Sequence, residues 1–369
     1  MMTTLFVQAV SAMLTVAAAQ APSEPPAVIR RPNLRVLTTV TESQLFPMMN
    51  AISDSLGVRC DYCHVRVSPD PAKTWSLAGG WVWDRDDKQP KRTAREMMRM
   101  VLDLNTRQFG GRMVVTCYTC HRGTVAPRRF PPLPPRDYSM IPDTRAPLLP
   151  AVDEVWNAYV RAVAEPARGF STTILSATDD RSEGRHGTVE VIFKGADRVR
   201  FTSRMPPDGD TAQAITGESG WIANGSGSRA LRADEIARVR RAAMRYRPVK
   251  IDRPANARLV GVEQIGSRDA YVLAVDGDAR TTMWFFDVTT GLLLRERTTT
   301  ETPMVPLQEQ IDYDDYRRVD GVMLPFLIRF SDGSPFSTSV RVFTAIRHNV
   351  DVDDSIFVMP ARPAESRRP

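Results

Sequence analysis

The sequence predicts an α+β chain in two units: a mainly helical module over about residues 41–126, then a larger antiparallel β-sheet domain over about 151–361 with helices on one side. Three observations predict it. A five-residue unit occurs twice in the first part, as Cys60-Asp61-Tyr62-Cys63-His64 and Cys117-Tyr118-Thr119-Cys120-His121, each behind a helical apolar stripe. A run of eight prolines falls within residues 127–150. Beyond it, segments that alternate apolar and polar residues take over.

The repeated unit is C-x-x-C-H, the attachment signal for c-type haem. Two thiols three positions apart reach both vinyl groups of one porphyrin, and the adjacent imidazole lies beneath the iron as its proximal ligand. The expected covalent anchors are therefore Cys60, Cys63, Cys117 and Cys120, with His64 and His121 on the two irons. These units hold all four cysteines and two of the four histidines, so no thiol is left for a disulfide or a nucleophile. Two C-x-x-C knuckles also suit one tetrahedral zinc, and one suits a redox dithiol. Zinc would leave both histidines idle, and a dithiol does not need a following histidine twice.

Export suits this chemistry. Residues 1–19 carry no charge and contain an apolar run too short to span a bilayer, ending in Ala17-Ala18-Ala19. The segment reads as a signal peptide, either cleaved or kept as an anchor, which delivers the rest to the periplasm, free or attached peripherally to the inner membrane. The formal charge of +6 is largely offset by four haem propionates, so it points only weakly to an acidic partner or an anionic surface. With no clustered basic stripe, nucleic acid is not an expected partner.

Residues 20–40 read as an extended, proline-marked lead-in. A helix then starts near Ser43, with Leu45, Met49, Ile52 and Leu56 as its stripe, Pro47 in its first turn and Gly57 as a left-handed cap. Met49, eleven residues before Cys60, is placed to reach the far face of the first haem, with Met48 in reserve. Trp75, Trp81 and Trp83 in the following loop read as packing, and Asp84–Lys88 as a solvated turn. Residues 91–109 form the second helix, with Thr93 and Glu96 as a capping box for a late start and Gly110-Gly111 as its end. Its stripe is Met97, Met100, Val101 and Leu104; Met97 is the expected distal ligand of the second iron, with Met100 and Met113 as runners-up. Arg95 and Arg99 are candidates for pairing with propionates.

The stretch from Met48-Met49 through Ile52-Ser53-Asp54-Ser55-Leu56-Gly57-Val58 into Cys60 and His64 resembles a haem module of the cytochrome subunit of photosynthetic reaction centres. Ala94-Arg95-Glu96-Met97-Met98-Arg99-Met100, Leu104-Asn105 and Val115-Thr116-Cys117 through Gly123 resemble the next module. The resemblance covers about residues 40–126 and implies electron transfer, with the methionine before each signal as distal ligand, which falls on Met49 and Met97. It also implies redox partner proteins such as a membrane-bound complex or reaction centre. This chain carries two signals where that family has four, and Gln108-Phe109-Gly110-Gly111 offers no histidine for bis-histidine ligation. Two His/Met haems are expected.

The proline-rich residues 127–150 read as a semi-rigid linker. After a helix at 152–164, strands are expected at 188–193, 199–203, 258–262, 271–275, 282–286, 292–297, 308–313, 324–330 and 339–346, interrupted by a basic helix at 234–246 and followed by a tail from 362. The phrases Trp284-Phe285-Phe286-Asp287, Thr290-Gly291-Leu292-Leu293 and Asp315 through Phe326, then Asp353-Asp354-Ser355-Ile356-Phe357, resemble the periplasmic lipoprotein-sorting carriers of the Lol pathway. That resemblance implies a β half-barrel that holds acyl chains, so a lipid or other apolar ligand is a candidate partner; a half-barrel filled by its own side chains fits equally. No catalytic residues are expected, and His186 and His348 read as surface. The expected function is electron transfer, not enzymatic turnover. The alternatives are a dihaem peroxidase, or a lipid-, quinone- or lipoprotein-binding protein whose haems act as a redox sensor.

Overall fold

The structure is a computed structural model that describes residues 31–67, 80–127, 149–163, 169–206, 209–244, 246, 253–277, 280–332 and 338–360. The signal-peptide reading, Trp75, most of the proline-rich linker and the tail lie outside the described residues.

The first unit is helical. Helix α1 (Glu42–Leu56) starts because Thr41 and Gln44 cap it: the Gln44 side chain accepts from the Thr41 N–H at 3.1 Å. This start puts Pro47 inside the helix, past the expected first turn, where its missing N–H leaves the carbonyl of residue 43 without a helical bond. Gly57 closes α1 at φ 65°, as expected. The first C-x-x-C-H unit forms a single turn, α2 (Cys60–Cys63). A small hairpin, β1 (Val65–Arg66) with β2 (Trp81–Val82), brings the chain to α3 (Gln89–Phe109). Helix α3 begins with Pro90 in its first turn, so Thr93 lies within the helix and does not cap it. The second unit forms α4 (Cys117–His121), which packs on α1.

The second unit is one open, wholly antiparallel sheet of thirteen strands. Strands β3 (Thr172–Arg181), β4 (Arg185–Lys194), β5 (Arg198–Met205), β6 (Gly209–Thr216), β7 (Ser219–Asn224) and β8 (Gly227–Ala230) form one meander. Strands β9 (Arg258–Ile265), β10 (Arg268–Asp276), β11 (Arg280–Asp287), β12 (Leu293–Thr300), β13 (Leu307–Val319), β14 (Val322–Ser331) and β15 (Ser339–His348) form the other. The meanders join where β15 pairs with β3, in register Thr173 to His348, with a bulge between Phe343 and Ala345. All nine expected strands are present; β3, β6, β7 and β8 are additional.

Period-two alternation decides the faces. Val189, Val191 and Phe193 of β4 join the main core, while Ile192 points to the opposite face with Ile174, Trp221, Val352 and Phe357. Two helices cover the main-core face, α5 (Val152–Val163) with Val155, Trp156, Tyr159 and Val163, and α6 (Ala233–Met244) with Ile236, Val239 and Ala243. Each buried Val or Ile among them contributes about 1.5–3 kcal/mol. The main-core face of the sheet is thus covered by the domain's own helices. His186 is exposed and paired with Asp180, whereas His348, expected at the surface, is half-buried and stacks on Phe170 at 3.6 Å.

Candidate haem-binding module

The second C-x-x-C-H unit is delivered by Asn105, a buried residue of α3 that is 1% exposed. Its amide N–H groups donate to the carbonyls of Val101 (3.0 Å) and Val115 (2.7 Å), and its Oδ1 accepts from the N–H groups of Val114 and Val115, both at 2.9 Å. The chain leaving α3 at Gly110 is folded back, and α4 starts at its end. There His121 Nδ1 sits 3.1 Å from the Thr124 carbonyl; as a donor to it, the ring presents Nε2 as its ligating atom.

The trailing Gly123 fixes α4 against α1. Its N–H donates to the Ser55 carbonyl at 2.9 Å, and its own carbonyl lies where a side chain at Gly57 would be, 2.2 Å from an ideal Cβ. Both backbones approach there because Gly57 has no side chain.

The first unit is held from the other side. The hairpin places Trp83 edge-on to His64, ring centroids 5.0 Å apart, and Trp81 stacks on Trp83 at 4.8 Å. Within Asp84–Lys88, where Asp84, Arg85 and Asp87 are exposed as expected of a solvated turn, Asp86 is an anchor. Lys91, nearly buried, donates from Nζ to the carbonyls of Trp83 (2.7 Å) and Arg85 (2.6 Å) and pairs with Asp86 at 3.1 Å. Arg95 binds Asp86 at 2.8 Å and the Asn33 carbonyl at 3.1 Å. These partners, Arg95 foremost, hold the Asp86 carboxyl well below the usual carboxylate range. Arg95 is therefore engaged within the protein, whereas Arg99 is exposed.

A cavity of about 280 Å³ lies between these elements, close to the lower end of the small-molecule range of about 300–1,000 Å³. Its lining includes Cys63, Cys117, Cys120 and His121 with three methionines, Met97, Met98 and Met100. Met97 is 39% and Met100 51% exposed, thioethers facing open space on a helix whose other side is core. The structure thus gathers both thiols and the imidazole of the second unit with its expected methionine and the first runner-up. Met113 packs at the core edge, its sulfur 3.1 Å from Asn105 Nδ2.

Residues 66–131 match the family described as the photosynthetic reaction centre cytochrome C subunit. The match takes in α3, Asn105 and the second unit of this cytochrome-like module; it begins two positions after His64, later than the 40–126 of the sequence resemblance. The β domain is similar to a LolA superfamily protein from Nitrosomonas europaea at 14% identity, covering 57% of this chain and 98% of that one with a TM-score of 0.39. A domain described as outer membrane lipoprotein-sorting from Vibrio parahaemolyticus is 8% identical, covering 55% and 94% with a TM-score of 0.36. By its strand order the sheet is open and not closed into a barrel.

The residues of the cytochrome-like module fit haem c better than zinc or a redox dithiol. Among the described residues no three His, Cys, Asp or Glu side chains gather into a metal-holding group. Burial pushes the Cys60, Cys63 and Cys117 thiols up, the opposite of an activated dithiol. His64 Nδ1 is buried without a hydrogen-bond partner, and burial, reinforced by Lys91, pushes its pKa down to about 4, leaving the neutral ring that ligates metals. Cys60, His64 and Met49 are not part of the cavity lining: His64 faces Trp83, and Met49 is half-buried beside the core. Met48, the reserve candidate, is fully buried in that core, a packing residue.

Proposed function

We propose that the chain is an exported, periplasmic dihaem c-type cytochrome that passes electrons between redox proteins, a membrane-bound complex or reaction centre among the candidates. Cys60 and Cys63 would hold one haem through thioether bonds with His64 on the iron, and Cys117 and Cys120 the other with His121; Met49 and Met97 are the assigned distal ligands. The observation that carries this reading is the meeting of Cys117, Cys120, His121 and Met97 at one cavity, with His121 Nδ1 beside the Thr124 carbonyl. When bound, each haem supplies a one-electron Fe(III)/Fe(II) couple, raised in potential by methionine ligation. The protein's part is to orient the imidazoles and fill the distal positions with thioethers. Filled positions favour electron transfer over peroxide turnover, which needs an open one.

Among the described residues no helix is long and apolar enough to cross a membrane. A second reading, a lipid or quinone in the β domain, has one observation behind it: Trp284 Nε1 and Tyr246 Oη are buried in the main core without hydrogen-bond partners, which the carbonyl of such a ligand would supply. The filling of that core by α5 and α6 side chains speaks against it.

The deciding experiment is a pyridine haemochrome count and oxidised and reduced spectra of the full chain matured with the cytochrome c assembly machinery. Two haems per chain with a methionine-to-iron charge-transfer band are expected. A high-spin spectrum with peroxide turnover would favour the enzyme, zinc without haem would overturn the proposal, and lipid or quinone in an organic extract would support the second reading.

A further inference from the structure

The connection between β12 and β13 belongs by sequence to the β domain, yet it is buried elsewhere. Thr302, Met304 and Val305 are 7%, 0% and 3% exposed. The turn closes on itself: Thr302 Oγ1 accepts from the N–H groups of Met304 (3.3 Å) and Val305 (3.1 Å) and donates to the Val305 carbonyl at 2.5 Å. Met304 and Val305 do not join the core beneath α5 and α6. They complete the hydrophobic cluster of the helical module, formed with Leu37 and Val40 of the lead-in, Met48 and Ile52 of α1, and Met98 and Val101 of α3. The residues read as an extended lead-in up to position 40 are thus partly core.

This cluster lies behind the candidate iron ligands. Met48 precedes Met49 on α1, Met98 follows Met97 on α3, and Met49 itself packs at the cluster's edge. A close-packed core transmits a change of volume to the elements around it, so whatever fills the space of Met304 influences the separation of the two helices.

We propose that the Thr302–Val305 turn is a wedge from the β domain that sets the spacing of α1 and α3, making Met304 and Val305 positioning residues for the distal methionines Met49 and Met97. The inference rests on the dihaem reading. It gives the β domain a task in the electron-transfer unit: a shift of the sheet at β12–β13 changes how well the thioethers reach their irons. Because methionine ligation raises the potential, a loosened wedge lowers it.

The test uses the full-length matured protein with Met304→Ala and Met304→Leu, the latter restoring most of the volume. Met304→Ala is expected to keep two covalent haems, lose intensity in the methionine-to-iron band, lower at least one midpoint potential and speed hydrogen exchange in α1 and α3; Met304→Leu restores all three. If Met304→Ala does not mature, Val305→Ala carries the same comparison with a smaller truncation. Wild-type band and potentials in the alanine variant, with only its thermal stability reduced, would overturn the wedge. A wild type without haem would instead overturn the dihaem reading. In that case exchange alone decides the wedge: unchanged protection of α1 and α3 in Met304→Ala overturns it.

Discussion

At the scale of single residues, Asn105 carries more of the site than its chemistry suggests. It is neither ligand nor anchor, and it was legible only as part of a family phrase; nothing in its spacing marks it as the clamp between α3 and the second C-x-x-C-H unit. Asn105→Ala leaves the N–H groups of Val114 and Val115 without their acceptor in a half-buried loop. We expect about 3 kcal/mol of lost stability and fewer covalently attached second haems, read by urea unfolding and haem count. Unchanged values for both would show that the loop folds without the clamp. The anchoring residues themselves were legible, since C-x-x-C-H is a local signal. The engagement of Arg95 was not, because Asp86 and Asn33 come from other segments of the chain.

At the scale of elements, helix ends were readable where one residue decides them, as at Gly57 and Gly110. The start of α3, expected at Lys91, lies two residues earlier, because Pro90 suits the first turn of a helix. The glycines separate two effects by experiment. Gly110→Ala meets nothing within 4 Å and carries only the cost of a left-handed backbone, about 1–2 kcal/mol. Gly57→Ala also drives a methyl into the Gly123 carbonyl. We expect Gly57→Ala to cost clearly more in thermal unfolding and to displace α4 from α1; equal costs would mean that this contact yields easily. The strands that the pattern does not announce, β6 to β8 among them, are short or rich in Gly, Ala, Ser and Thr, so alternation there is faint.

At the scale of the whole molecule, the two units meet through α1. Besides the buried wedge, Asp54 near the end of α1 lies close enough to Asp332, after β14, to feel its charge. Burial first, and Asp332 second, pushes Asp54 from 3.8 up to about 6. The folded state therefore holds a proton that the unfolded chain releases between about pH 4 and 6. Stability from this group is fully present below the unfolded value and is lost as pH rises through the folded one. Asp54→Asn is expected to flatten that part of the stability profile and to stabilise the protein at pH 7 by about 1 kcal/mol, a figure discounted because the carboxyl is partly solvated. Parallel pH profiles of the variant and the wild type in urea unfolding would remove Asp54 from the interface.

The sequence by itself determined the helical first part, the antiparallel sheet with its covering helices, and which residues are the candidate anchors, Cys60, Cys63, Cys117, Cys120, His64 and His121, because each is written in spacing of a few residues. Tertiary structure alone decided that Met48 is core, that Met97 shares a cavity with the second unit, and that Met304 is buried with the helical module. These depend on which apolar surfaces meet across hundreds of positions. Hydrophobic burial is non-directional, so a stripe of methionines records that a face is covered and not by what.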